Sequence, residues 1–460
     1  MNNTDKFNVL GEKPVGRLLM QYAVPAIIAM TASSIYNIVD GIFIGQGVGK
    51  EAIMGLALTA PVMSLTSAFG AMVGVGAATL MSVRLGQKDY STARNILGNV
   101  IIMNIVMGLA LGFILQLALT PILYFFGASK DTIGPAHDFM TVILAGNVVT
   151  HLYLGLNALL RSTNRPQKAM VATFGTVILN CILAPIFIFV LRWGIEGAAL
   201  ATVLAQLFML FWQIHLFSSK SELIHLSRDI MHPNARIMRE SLIIGLPQFL
   251  VNLCACLVTI FLTRSMTQYG GDVAVGAYGI SNRLVLFIVM VVIGINQGLQ
   301  PIAGYNYGAG KYDRLVAVVK KAIFAATIVS TAGFLLAQVA AYPFSALFAK
   351  GSPDLVDASA LGLRVSTIMF PFIGMQIVSG AFFQSIGMPG KSIFLSLSRQ
   401  LIFLLPALLL LPLVLSDKVL GVWLALPVSD AAASIVSFVM IVAQIRKFKQ
   451  QYPHCFQSNK

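Results

Sequence analysis

The sequence predicts an all-α polytopic membrane protein, with twelve transmembrane helices in two pseudo-symmetric six-helix bundles that form parallel repeats. Composition, apolar stretches and an internal repeat predict this fold. Of the 460 residues, 57% are hydrophobic and only 10% are charged, and the mean hydropathy is +0.83. Soluble globular domains carry about 25% charged residues, so the composition excludes a soluble globular protein.

Twelve apolar stretches, separated by short polar segments, are long enough to cross the hydrocarbon core, which takes about 20 helical residues. We expect spans at residues 18–45, 53–83, 95–124, 138–160, 168–190, 195–218, 240–263, 275–303, 315–344, 358–385, 391–415 and 419–446. Several exceed the minimum length, so we expect those helices to tilt or to extend beyond the bilayer.

The two halves of the chain carry the same landmarks in the same order, 222 or 223 positions apart. The pairs are Pro25 and Pro247, Gly76 and Gly298, Gly86 and Gly308, Tyr90 and Tyr312, Phe126 and Phe348, Pro166 and Pro389, and Lys168 and Lys391. Each half holds an even number of spans, so both halves begin on the same side and the repeats are parallel. Duplicated halves around a central site are typical of transporters.

The longest internal polar segment joins the sixth and seventh spans and predicts the domain organisation. We expect an N-terminal six-helix lobe at 1–217, a cytoplasmic linker at 218–240, and a C-terminal six-helix lobe with a short cytoplasmic tail at 241–460. The prolines and the small residues at four-residue spacing inside spans are interpreted as kinks and close helix contacts.

The distribution of Lys and Arg predicts the orientation. Assigning alternate loops to alternate sides places 23 of these residues on one side and 7 on the other, with Arg283 inside a span. Because Lys and Arg near span ends are retained in the cytoplasm, both termini are expected there. The net charge of +14 is therefore interpreted as a surface for anionic membrane lipids, and we expect no nucleic-acid partner.

Motifs for enzymes, metals and cofactors are weak or missing in the sequence. Three of the four cysteines lie in spans and the fourth in the tail, which supports neither a disulfide framework nor a metal site. The run Gly387–Ser392 resembles the end of a phosphate-binding loop, but Ser385 occupies the position of its first glycine and no βαβ unit surrounds it. We therefore expect a protein that is not an enzyme and has no cofactor.

Two acidic residues lie well inside apolar sequence: Asp40 in the first span and Asp430 in the twelfth. A carboxylate at membrane depth is costly unless it is protonated, paired or hydrated, and an acid with those options can exchange a proton or hold a cation. Asp40 shares roughly one helical face with Tyr36 and Asn37, which we interpret as a functional polar stripe. For Asp430, helix packing or a cap near the bend at Pro427 is at least as good an interpretation as a role in transport.

Other polar residues inside spans could complete a site with Asp40. They are Asn147 and His151 on the fourth span, Asn180 on the fifth, and Thr202 and Gln206, one turn apart, on the sixth. Interhelical hydrogen bonding alone would explain each of them singly. His151 is more often a satisfied interior histidine than a proton relay, so both interpretations stay open for these residues.

The chain resembles the multidrug and toxic compound extrusion (MATE) family, most closely its MepA-like and DinF-like bacterial branch, over essentially all of its length. The resemblance rests on Pro25, on the first-span residues 37–40 and 43–45, on the loop 84–89, and on the segments 194–199, 245–247, 300–309 and 421–423. It implies alternating access, with export of amphipathic, often cationic, organic compounds against inward H⁺ or Na⁺. It also implies a monomer in the bacterial plasma (inner) membrane.

The resemblance further implies that Asp40 is the coupling residue, with Asn180 and Thr202 close enough to hold Na⁺ together with it. This chain departs from the pattern at Ala184, one helical turn from Asn180, where many related exporters have an acid. The pair of carboxylates is therefore missing from the first half. The acids that another branch carries in the seventh and tenth helices are also absent from those spans.

Two other functions fit the sequence less well. A flippase for a lipid-linked or lipophilic anionic precursor would need cationic residues in a central cavity, and the candidates are Arg161, Arg264 and Arg283. An intramembrane lipid enzyme would need a nucleophile, a base or a metal set clustered within spans, and the sequence suggests none.

Overall fold

The computed structural model describes residues 5–349 and 352–456, and every regular element in those ranges is helical. The α-helices are α1 (Asp5–Glu12), α2 (Val15–Gly47), α3 (Lys50–Gly86), α4 (Tyr90–Leu117), α5 (Leu119–Phe125), α6 (Ile133–Ala145), α7 (Asn147–Ser162), α8 (Pro166–Pro185), α9 (Gly194–Phe217), α10 (Ala235–Gly308), α11 (Tyr312–Phe348), α12 (Pro353–Ser366), α13 (Phe370–Ser385), α14 (Pro389–Leu397), α15 (Leu405–Val414) and α16 (Lys418–Gln451). Short π-helices, Ile186–Val190 and Ser398–Leu404, follow α8 and α14.

The described helices supply twelve membrane spans. Nine are long and apolar enough to cross a bilayer, and two further spans are bent pairs, α6 with α7 at 55° and α12 with α13 at 56°. One of these nine helices is α10. Its 74 residues would reach about 110 Å as a straight helix, which is far longer than one membrane crossing needs. Gly271, with φ 60° and ψ −155°, interrupts α10 in a conformation that essentially only glycine adopts. The helix therefore contributes two spans, and the predicted twelve are confirmed.

The chain divides into two compact units. The first comprises Met1–Lys13 and Ile28–Phe249, and the second comprises Pro14–Ile27 and Leu250–Lys460. The first half of α2 thus belongs to the second unit, and the start of α10 belongs to the first. The two exchanged segments end at repeat-related positions, because residues 27 and 249 are 222 apart. The boundaries of these units therefore lie at other positions than the expected linker at 218–240.

Each exchanged segment packs closely against a glycine of the unit it belongs to, and the two glycines are repeat counterparts. In the first unit, a Cβ atom on Gly76 would lie 2.7 Å from the backbone nitrogen of Gly245. In the second unit, a Cβ on Gly298 would lie 2.7 Å from the backbone nitrogen of Ala23. Both positions of the second contact are the repeat counterparts of the first. Small residues that let helix backbones touch are the usual basis of tight packing in membranes.

The polar segment 218–240 is attached to the rest of the first unit by ion pairs and hydrogen bonds. Three ion pairs of 3.1 Å join it to the ends of α3, α4 and the α7–α8 turn: Arg84 with Glu240, Arg94 with Asp229, and Arg165 with Glu222. The amide of Asn99 also accepts a hydrogen bond from the Asn234 backbone at 2.8 Å and donates to the carbonyl of His232 at 3.3 Å.

Candidate functional site

Three of the predicted site residues meet in the first unit. Thr202 on α9 is the centre of the cluster: its Oγ1 accepts a 2.8 Å hydrogen bond from Nδ2 of Asn180 on α8, and it lies 3.1 Å from the Tyr36 hydroxyl on α2. These bonds join α2 to the consecutive helices α8 and α9. The structure therefore brings Tyr36, Asn180 and Thr202 into hydrogen-bond contact.

Asp40 lies one helical turn beyond Tyr36, on the same face of α2. Its residue surface is 9% exposed, and its Oδ1 atom is buried with no hydrogen-bond partner among the described side chains. The carboxyl group is within electrostatic range of the Tyr36 hydroxyl and of the Cys181 thiol, which neighbours Asn180. Asp40 thus borders the Thr202 cluster. Asn37 is on the same helix, but its side chain lies outside the part of the structure that is described.

Gln206, one turn beyond Thr202, extends the polar face of α9 toward α7. Its Oε1 accepts a 2.6 Å hydrogen bond from the hydroxyl of Thr150. The site is therefore bordered by a fourth helix, through a residue that the sequence reasoning missed. Thr150 lies between the two candidates chosen on this span, Asn147 and His151, and a threonine hydroxyl inside an apolar helix gives no stronger signal than many others.

Asn147 and His151 form hydrogen bonds with other helices and not with the Thr202 cluster. The Asn147 side-chain amide donates to the Gly108 carbonyl at 3.1 Å, and His151 Nε2 lies 3.0 Å from the Thr66 carbonyl. Both side chains are buried, and Nδ1 of His151 has no partner among the described residues. These bonds fit the interpretation of both residues as interhelical hydrogen-bonding groups.

Asp430 lies in the second unit, on α16, and is paired with an arginine. Nε of Arg399, in the π-helix after α14, donates to Asp430 Oδ1 at 2.7 Å. The Asp430 side chain is 4% exposed and that of Arg399 is 31% exposed. The 23 basic residues counted above for one side include Arg399, although it lies inside the predicted span 391–415. The structure places it within the span Pro389–Val414 and in an ion pair.

The other span arginines have partners of different kinds. Arg161 donates to Asn157 Oδ1 at 2.6 Å, and the Arg283 guanidinium carbon lies 5.2 Å from the centre of the Phe348 ring. These contacts engage Arg161 with its own helix and Arg283 with an aromatic face. Two of the three cationic candidates for a flippase cavity, Arg161 and Arg283, are therefore engaged in local contacts.

The arrangement can hold one proton or one cation at Asp40. Among the described residues, no three His, Cys, Asp or Glu side chains come together as a metal site. A sodium ion here would depend on the Asp40 carboxylate with neutral oxygens such as Asn180 Oδ1, which is buried without a partner among the described residues, and Thr202 Oγ1. Thr202 Oγ1 already accepts the Asn180 amide hydrogen bond. Ala184, the position of the missing acid, is fully buried.

Known proteins are similar to this chain in sequence and in fold. The multidrug export protein MepA of Staphylococcus aureus (strain MSSA476) is 28% identical over 380 residues, covering 80% of this chain and 83% of that protein. MepA of the strain bovine RF122 / ET3-1 is 25% identical over 434 residues, covering 94% of each. The fold is similar to a solved structure of the outward-facing conformation of a multidrug resistance MATE family transporter of the MOP superfamily, with a TM-score of 0.91, 24% identity, and coverage of 96% of this chain and 98% of that one.

Duplicated six-span halves with a buried acid on a polar helix face define a multi-pass membrane transporter rather than an enzyme. The MatE family model matches residues 25–186 and again residues 247–409, one match in each repeat and together more than half of the chain. The chain belongs to the MatE family of multidrug efflux transporters, which confirms the resemblance seen in the sequence.

Proposed function

We propose that this chain is a secondary active exporter that moves amphipathic, often cationic, organic compounds outward in exchange for inward protons, by alternating access. The observation that carries the proposal is the buried Asp40 carboxyl with its unpartnered Oδ1, next to the Tyr36–Thr202–Asn180 cluster. We further propose that the protein works as a monomer in the bacterial plasma membrane, because one chain contains both repeats.

The chemistry follows from the cost of a buried charge. An ionised carboxylate without hydrogen-bond partners is strongly disfavoured at membrane depth. Protonation removes this cost, and so does the arrival of an organic cation. The two ligands therefore compete for the same group, and competition of this kind is what exchange requires. The Tyr36 hydroxyl, one turn away, would transmit the repacking of α2 to Thr202 on α9.

The proton is favoured over sodium by the number of oxygens at the site. A hard metal cation needs several oxygen ligands around it, whereas a proton needs one acceptor. Asp40 supplies one carboxylate beside this cluster, and Ala184 stands where the resemblance would put a second. Sodium coupling through Asp40, Asn180 and Thr202 is the alternative, supported by the unpartnered Oδ1 of Asn180.

The experiment is efflux of a fluorescent organic cation from membrane vesicles, under an imposed proton gradient or an imposed sodium gradient. We compare the wild type with Asp40→Asn, and use Asp89→Asn as a control that removes a carboxylate outside the spans. We expect proton-driven efflux in the wild type and the control, and none in Asp40→Asn at equal protein level.

Each other outcome has a definite meaning. Efflux driven only by sodium would assign the alternative ion to the site. Full efflux by Asp40→Asn would remove Asp40 from the mechanism. If the wild type exports no organic cation under either gradient, the exporter proposal is wrong, and the flippase becomes the function to test with a lipid-linked anionic substrate.

We also propose that both termini face the cytoplasm, which the Lys and Arg asymmetry supports. Cys455 in the tail is partly exposed, and its Sγ lies 3.7 Å from the Gly310 carbonyl. In a variant that retains Cys455 as its single cysteine, a membrane-impermeant maleimide should label inside-out vesicles and spare intact cells with the outer membrane removed. Labelling of the intact cells instead would reverse the orientation.

A further inference from the structure

An ion pair between the half-buried Arg399 and the buried Asp430 lies at membrane depth in the second unit. Arg399 is ten residues into the 26-residue span Pro389–Val414, and Asp430 is twelve residues into the 34-residue span Lys418–Gln451. At 1.5 Å per residue, the two side chains start about 15 Å and about 18 Å from the respective helix ends. Charged residues at this depth are costly and are usually functional. The π-helical turn that carries Arg399 is also typical of functional sites.

The guanidinium of Arg399 is held along one edge and accessible at the other. Asp430 accepts from Nε at 2.7 Å, the described residues offer no further hydrogen bond to the guanidinium, and the side chain keeps 31% of its surface exposed. The arginine fork presents parallel donors suited to two-point binding of a carboxylate. Asp430 therefore acts as a positioning residue that leaves the terminal nitrogens of Arg399 available.

The exposed part of Arg399 does not face the lipid side of its helix. Leu395, about one turn before Arg399, is 2% exposed. Ser398, the neighbour of Arg399, is 1% exposed. Since an arginine directed into hydrocarbon would be strongly disfavoured, its free edge is directed to the protein interior.

Unpartnered hydroxyl groups lie on the same face of α16 as Asp430. Ser434 and Ser437 are four and seven residues further on, so they line up with Asp430 along the helix. Their residues are 5% and 0% exposed, and both Oγ atoms are buried without a hydrogen-bond partner among the described residues. Buried polar groups normally have partners. The Asp430 face of α16 thus offers a hydroxyl donor, Ser434, one helical turn from the carboxylate that holds the guanidinium.

We propose that Arg399, positioned by Asp430 and assisted by the Ser434 hydroxyl, is a recognition site for the carboxylate of zwitterionic substrates. The proposal rests on the proposed export of organic cations and extends it to compounds that carry a carboxylate as well as a cationic group. Because Asp430 neutralises Arg399, the site offers paired hydrogen-bond donors rather than a net positive charge. It therefore accepts a planar anionic group without excluding purely cationic substrates.

The experiment compares efflux of two dyes that differ by one methyl ester. Rhodamine 110 carries a free carboxylate, and rhodamine 123 is its methyl ester and a simple cation. Proteoliposomes contain the wild type or the double variant Arg399→Gln with Asp430→Asn, which leaves no unpaired buried charge. We expect the ratio of rhodamine 110 to rhodamine 123 efflux to fall about tenfold in the double variant, because a hydrogen bond to a charged group is lost.

Two further variants separate recognition from structure. Arg399→Lys keeps the charge but loses the fork, so its ratio should be intermediate. Arg283→Gln removes another span arginine of the same unit and should leave the ratio unchanged. An equal fall for both dyes, or no change in the ratio, would overturn the proposed site. If the wild type exports rhodamine 123 but not rhodamine 110, only this inference fails; if it exports neither, the proposed function fails first.

Discussion

The Tyr36 hydroxyl lies 3.1 Å from Thr202 Oγ1 and ties the helix that carries Asp40 to α9. Asn180 donates to the same Thr202 oxygen at 2.8 Å. One hydroxyl group thus holds three helices together within a turn of the buried acid. A change at Asp40 that displaces α2 has to strain or break the bond between Tyr36 and Thr202.

Removing the Thr202 hydroxyl should therefore impair export more than removing that of Tyr36. Thr202→Val keeps the shape but leaves the buried Asn180 amide unpaired, at a cost of about 1–3 kcal/mol, and we expect efflux of an organic cation to fall about tenfold. Tyr36→Phe breaks one bond and should have a smaller effect. The measurement is the initial efflux rate at equal protein level.

Thr267→Val is the matched control for this comparison. The Thr267 hydroxyl is exposed and, within the described part of the chain, bonds only to the carbonyl of Thr263, four residues earlier. This variant should export at the wild-type rate. Equal rates for Thr202→Val and Thr267→Val would show that the cluster has no role in export.

Adding a methyl group at Gly298 should destabilise the second unit. A Cβ there would lie 2.7 Å from the nitrogen and 2.8 Å from the Cα of Ala23, both backbone atoms that cannot move independently of their helix. Overpacking of this kind costs typically about 1–3 kcal/mol, so Gly298→Ala should lower the apparent Tm of the purified protein.

Gly279→Ala provides the comparison, because apart from the backbone of its own helical turns and its chain neighbours, no described residue comes within 4 Å of a Cβ built at that position. It should leave the Tm unchanged or raise it slightly, since alanine favours helix. A Gly298→Ala protein as stable as Gly279→Ala would contradict the close approach of α2 and α10 in this unit.

The N-terminus of α4 should depend on pH through Asp89. Its Oδ1 accepts a 3.1 Å hydrogen bond from the Thr92 backbone. Partial burial alone would raise the pKa of Asp89, but the hydrogen bonds from Thr92 outweigh it and, with the positive charge of Arg84, lower the pKa below its ordinary value. A lowered pKa means that the cap stabilises the folded state above about pH 4, the usual pKa of an unfolded Asp.

Asp89→Ala should consequently cost about 1 kcal/mol at neutral pH, and this cost should shrink as the pH falls through the folded pKa. The Tm of wild type and variant, measured at pH 7 and in strong acid, checks this. Asp89→Asn still accepts the bond and should show a gap to Asp89→Ala that does not change with pH. A wild-type gap that widens in acid would contradict the sign.

The fold could be predicted in detail because membrane spans are specified locally. A span needs only its own run of apolar residues, and the repeat from Pro25 to Pro247 sets the symmetry. The exchange of residues 14–27 between units could not be read this way. It depends on backbone contacts such as Gly298 with Ala23, which are 275 positions apart in the chain.

The candidate site was predictable where the cost of burial gives a signal. Asp40 stands out because carboxylates are rare inside spans, and its turn-spaced neighbour Tyr36 follows from helix geometry. Thr150 and Arg399 were missed for two reasons. A threonine is common in apolar helices, and Arg399 follows Lys391 closely enough to be counted with the basic cytoplasmic face. Its pairing with Asp430 is a tertiary contact that no local pattern reveals.

The most direct test of the central claim is proton release on substrate binding. Purified protein in weakly buffered detergent solution is mixed with tetraphenylphosphonium, a cation that carries no titratable group, and the pH change is recorded for wild type and Asp40→Asn. If Asp40 exchanges a proton for the cation, the wild type should release up to one proton per bound cation, and the variant none. Equal proton release by both proteins would contradict the exchange at Asp40.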